Sequence, residues 1–123
     1  MAKPRFDGQP LIDAYGDGGF RFASQRLEGS ILLTPRGIYP WEIGSLKNTT
    51  LETISPLLDC VGEFDFLIVG SGPSFMRWPK ELTRHLQNLR IMADFMDTGA
   101  AARTYNVLKS EDRRVAAALI AVP

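Results

Sequence analysis

A chain of 123 residues with 14 basic and 14 acidic side chains has no bulk charge to hold a nucleic acid or an acidic membrane. Its 45% hydrophobic and 23% charged residues give the composition of one globular domain that folds without disulfides or metals. Cys60 is the single cysteine, so an internal disulfide is excluded, and no apolar run reaches membrane-spanning length.

Residues 1–10 hold two prolines and mixed charges without an apolar signal region, and read as a poorly ordered leader. Residues 11–123 then form a single α/β domain, expected in the cytoplasm. Leu11–Tyr15 reads as a half-buried strand. The run Gly16-Asp17-Gly18-Gly19 turns the chain, and Phe20 and Phe22 return it as a second strand. After Gly29 comes Ser30–Thr34, stopped by Pro35 and Arg36-Gly37, and Ile38–Ile43 is its return. Pro40 marks that return as an edge or an irregularity.

The middle of the chain changes period. Thr49 and Glu52 have capping-box spacing, opening a helix with Leu51, Ile54, Leu58 and Val61 on one face and a break at Pro56. Phe64–Val69 is nearly continuous apolar sequence, the pattern of a strand covered on both sides. Pro79 suits a first helical position, and Leu82, Leu86 and Leu89 line that helix's inner face. Arg90–Met96 is the next strand. Asp97 or Thr98 caps a third helix with Ala101, Thr104, Tyr105 and Leu108 inward. A charged turn, Lys109–Arg113, precedes the closing strand Val115–Val122. The fold class is therefore α/β: three layers, a mixed central sheet, N-terminal antiparallel hairpins and helices on both faces.

Two groups of residues are candidates for binding. Gly70-Ser71-Gly72-Pro73-Ser74 follows the covered strand, where open α/β sheets hold ligands, and turn amides there can cradle an anion. Thr98, Arg103 and Asn106 on the third helix would complete such a pocket. The alternative is a tight strand exit that simply needs small residues. The loop is neither a dinucleotide fingerprint nor a P-loop, because Phe75 replaces the third glycine and no Gly-Lys-Ser/Thr follows. The second group is aromatic. Tyr39, Trp41, Phe75 and Trp78 either form a partner-binding surface or complete the core.

No catalytic constellation emerges. His85 has no nucleophile placed beside it, and Asp94 and Asp97 straddle a strand end. Ser71 lacks the nucleophile-elbow pattern. Cys60 reads as a small buried apolar residue, and His85 with Cys60 makes no common zinc set. No metal or cofactor is expected.

Three segments in order carry a resemblance: Ile38-Tyr39-Pro40-Trp41; Leu67-Ile68-Val69-Gly70-Ser71-Gly72; and Asp97-Thr98 through Arg103-Thr104-Tyr105-Asn106-Val107-Leu108 to Glu111. From about Leu11 to Val122 the chain resembles a small α/β domain-of-unknown-function family. Its members include a mitochondrial assembly factor for respiratory complex I and an adipogenesis-associated cytoplasmic protein. The resemblance implies a three-layer fold around a mixed sheet and no demonstrated enzyme activity for most members. It implies work by binding protein partners, at the inner mitochondrial membrane for the complex I members. Gly70, Gly72, Thr98, Tyr105, Asn106 and Glu111 match the family's shared pattern, and none is a known catalytic residue of it. The mitochondrial members carry a transit segment that this sequence lacks, so a bacterial relative is expected. The expected role is a non-enzymatic interaction protein assisting assembly of a respiratory NADH dehydrogenase, meeting the inner membrane through a partner. The competing role is a small-ligand or anion-binding domain using Gly70–Ser74.

Overall fold

The computed structural model describes residues 3–123. Its first three strands, β1 (Ala14–Gly16), β2 (Gly19–Phe22) and β3 (Gln25–Glu28), make a small antiparallel sheet. Asp17 and Gly18 connect β1 to β2 with φ of 52° and 81°, the paired positive values of a type I′ turn. β3 is a strand the sequence does not announce. Its turn uses Ala23 and Ser24 at φ 47° and 62°, without the Asn-Gly or Asp-Gly signature of such hairpins.

The larger sheet contains β4 (Ser30–Thr34), β5 (Gly37–Trp41), β6 (Phe66–Gly70), β7 (Ala93–Met96) and β8 (Val115–Leu119), in the order β5-β4-β8-β6-β7. It is mixed. β4 runs antiparallel to its neighbours β5 and β8, whereas β8, β6 and β7 run parallel. Three helices cover it: α1 (Ser55–Leu58), α2 (Lys80–Asn88) and α3 (Thr98–Ser110).

Period-two alternation along these strands divides the core between the two faces. Leu32, Tyr39, Trp41, Leu67, Val69, Ala116 and Ala118 pack with Leu57 of α1 and Leu82 and Leu86 of α2. Ile31, Leu33, Ile38, Ile68, Ala117 and Leu119 pack on the other side with Ala101, Ala102 and Tyr105 of α3 and Phe20 and Phe22 of β2. The three-layer α/β architecture expected from the sequence is thus the one observed. Leu82 and Leu86 are both fully covered, and each contributes about 2 kcal/mol toward holding α2 down.

The helix expected to start at Thr49 is much shorter. Only a 3-10 turn, Leu46–Asn48, and the one-turn α1 form there. Thr49 is buried and its hydroxyl has no partner among the described residues, so it caps nothing. The reciprocal bonds fall one residue later: Thr50 Oγ1 accepts from Thr53 N and Thr53 Oγ1 from Thr50 N. Pro56, lacking an N–H, stands in the first turn of α1. The buried positions become Ile54, Leu57 and Cys60, while Leu51 and Val61 face solvent. Pro79 caps α2 instead of occupying its first turn, and Leu89 is exposed beyond its end.

The two edges of the large sheet differ. Along β5, Pro40 removes a donor, and Ile38 pairs with Phe6 of the 1–10 segment through Ile38 N to Phe6 O (2.9 Å) and Arg5 N to Ile38 O (2.7 Å). β7 has a neighbour on one side alone.

Candidate functional site

The glycine exit of β6 is built as a joint. Thr98, the first residue of α3, is completely buried, and its Oγ1 accepts from Gly72 N (2.9 Å) while donating to Ile120 O (2.7 Å). Thr98 N donates to Gly72 O (2.8 Å), and Ser71 N to Met96 O (2.8 Å). Ser71 Oγ donates to Ser74 O (2.6 Å) and accepts from Met76 N (3.1 Å). The Ser71 and Gly72 amides, expected to help cradle an anion, therefore already have partners. Gly70 has no room for a side chain: a Cβ there would lie 2.9 Å from Leu119 Cδ2 and 3.0 Å from Thr98 Cα. The glycines let α3 approach β6 closely, as the tight-exit alternative holds.

Farther along α3, Asn106 grips the segment before β1. Its Oδ1 accepts from Ile12 N and its Nδ2 donates to Ile12 O, both at 2.8 Å. Tyr105 Oη donates to Pro10 O (2.8 Å), and burial of the ring pushes the phenol's pKa well above its ordinary value. Arg103 is exposed and lies 3.4 Å from Tyr15 Oη. So Gly70, Ser71, Gly72 and Thr98 come together, while Asn106 and Arg103 meet the N-terminal strand instead of completing a pocket over the loop. Asp97 caps α3 by accepting from Ala100 N (2.9 Å).

The aromatic group divides as well. Tyr39, Trp41 and Trp78 are 8%, 2% and 3% exposed, which corrects the expectation of a surface for these three. Trp78 Nε1 donates to Thr83 Oγ1 (3.1 Å), giving the indole the polar partner that burial requires. Phe75, at 60% exposure, is the member on the surface. It stands over a recess of about 420 Å³ walled by Phe75, Arg77, Leu86, Met92 and the β7 strand itself, with Trp78 and Phe95 packed edge to face below. Met92 is 77% exposed. The two most exposed large apolar side chains of the described residues thus flank one hollow, beside the free side of β7.

The ion pairs of the described residues lie away from it. Arg36 holds the Glu63 carboxyl, and Arg114 the Asp65 carboxyl, below the usual carboxylate range by direct hydrogen bonding. Burial raises the Cys60 thiol. Among the described residues no three His, Cys, Asp or Glu side chains gather as metal ligands do.

The family described as "Protein of unknown function (DUF498/DUF598)" matches residues 12–120. The chain belongs to this family. An uncharacterised protein of Rhodobacter capsulatus is 39% identical over 121 residues, which is 98% of this chain and 92% of that one. NADH dehydrogenase (ubiquinone) 1 alpha subcomplex assembly factor 3 of Xenopus tropicalis is 30% identical over 110 residues, 89% of this chain. The match spans 60% of the frog protein's own length. A crystal structure from Bartonella henselae, described as an outer membrane protein, aligns at TM-score 0.91 and 46% identity over 97% of this chain and all of that one. No helix of the described residues here is long and apolar enough to cross a membrane.

In this DUF498/DUF598 chain, Gly70, Gly72, Thr98, Tyr105 and Asn106 all serve as pins between elements. Met92 escapes a reading of the sequence because it falls inside the expected strand Arg90–Met96, whereas β7 begins only at Ala93. Its exposure depends on β7 being at an edge, which only the strand order reveals.

Proposed function

We propose that this chain is a non-catalytic interaction protein that assists assembly of a respiratory NADH dehydrogenase. It works in the cytoplasm and meets the inner membrane through its partner. The observation that carries this reading is the alignment of nearly the whole domain, at 30% identity, with proteins named as assembly factor 3 of that enzyme. The hollow beside β7 supports it, because exposed Phe, Met and Arg side chains are what protein interfaces use. The competing anion-site reading gains no support from a loop whose Ser71 and Gly72 amides are occupied.

The test is deletion of the gene in its native host. The expected result is loss of the assembled NADH dehydrogenase from native gels of the membranes, with partial assemblies in its place. A tagged copy should recover an enzyme subunit from those partial assemblies. A normal amount of complete enzyme in the deletion strain would remove the proposal.

A further inference from the structure

We infer that the outer edge of β7 is a docking site for an extended segment of a partner protein in which apolar residues alternate with Lys or Arg. This rests on the reading that the chain works by holding a protein.

The parallel ladder fixes which groups are available. Ser71 N donates to Met96 O, and Asp94 and Met96 lie opposite Ile68 and Gly70, so these two strand residues direct their backbone groups toward β6. Ala93 and Phe95, between them in the alternation, direct N–H and C=O outward. A strand laid along this side would find both backbone groups of both residues unpaired. Two other edges, β5 and β3, suit such a visitor less well. β5 carries Pro40 and the Phe6 pairing, and β3 presents Gln25, Arg26 and Glu28.

Side chains select the occupant. Ala93 and Phe95 point to the α2 side of the sheet, where the hollow between Phe75, Trp78 and Met92 would receive the visitor's apolar residues. Asp94 points to the opposite side, is exposed and forms no ion pair among the described residues. The visitor's residue on that side therefore lies beside a free carboxylate, which a cation complements. A second copy of the chain fits poorly. An antiparallel pair of β7 strands that uses Ala93 and Phe95 on both sets Asp94 directly opposite its counterpart, and like charges so placed oppose pairing.

The experiment uses the isotope-labelled full chain and a blocked octapeptide alternating Val and Lys, with a Val and Glu peptide as control. The Val-Lys peptide should shift the Ala93 and Phe95 amides and slow their hydrogen exchange. The Val-Glu peptide should bind roughly fivefold more weakly, the size of a cross-strand charge effect. Asp94→Lys should reverse that preference, and Met92→Glu, at an exposed site, should weaken both peptides while leaving the spectrum of the free chain folded. Equal affinity for the two peptides, shifts centred elsewhere, or indifference to Asp94→Lys would overturn the inference. So would a concentration-dependent dimer that Met92→Glu dissolves, which would make the occupant a second copy. The two proposals fail separately: a deletion strain with intact NADH dehydrogenase removes the assembly role alone, and a silent peptide titration removes the edge site alone.

Discussion

Asn106 shows how a residue with the chemistry of a binding site can be consumed by the fold. Its amide satisfies both backbone groups of Ile12, which otherwise lie at the start of the small sheet with nothing to pair them. Asn106→Ala should lower unfolding free energy by about 2 kcal/mol in denaturant titration, one unit for each lost bond, and release the Ile12 amide to exchange. Thr98→Val keeps the shape but leaves Gly72 N and Ile120 O buried without partners. Its cost should be larger, roughly 2–5 kcal/mol. Both results belong to stability and not to ligand affinity. The surface ion pairs give a prediction in pH. The Asp65 and Glu63 carboxyls have folded pKa values below their unfolded ones, because Arg114 and Arg36 donate to the charged forms. Their stabilisation is therefore present above the unfolded values, near pH 4, and is lost as pH falls through the lowered folded values. Both pairs are exposed, so salt should shrink the effect. Carbon-detected titration of Asp65 should show its midpoint rise toward the ordinary aspartate value in Arg114→Gln.

At the scale of elements, what the sequence made legible was whatever depends on local period and caps. The continuous apolar runs of β4, β6 and β8, the α3 cap at Asp97 and the glycine turn before β2 all follow from neighbours within a few residues. β3 was hidden because its turn places Ala23 and Ser24 at positive φ, a conformation disfavoured for residues with a Cβ and held by the β2–β3 pairing that the turn closes. The segment from Thr49 to Val61 misled because a capping spacing and an apolar stripe were both present, while Pro56 and tertiary packing shifted the buried set to Ile54, Leu57 and Cys60. The partner-binding aromatics divided for a related reason: composition shows that a Trp is valuable, not whether a neighbouring element covers it. That division is testable within one loop. Trp78→Ala should cost roughly 3–5 kcal/mol, since it empties a core position against Phe95. Phe75→Ser, three residues earlier, should change stability by less than about 0.5 kcal/mol in the same thermal melts.

Over the whole molecule, the internal bonds and the free surface are segregated. The β6 exit, the α3 start and the 10–12 segment are fastened to one another, and β5 is shielded. The opposite edge keeps an apolar hollow in water with Phe75 and Met92 as its rims, a cost that a monomer designed only to fold would avoid. A holding protein needs such a place. The most direct measurement is the amount of complete NADH dehydrogenase on native gels from the deletion strain, resupplied with either the unaltered chain or Met92→Glu. Restoration by the unaltered chain and failure with Met92→Glu, at equal protein level and equal melting temperature, is the expected result. Equal restoration by both, or complete enzyme with neither, would contradict the account.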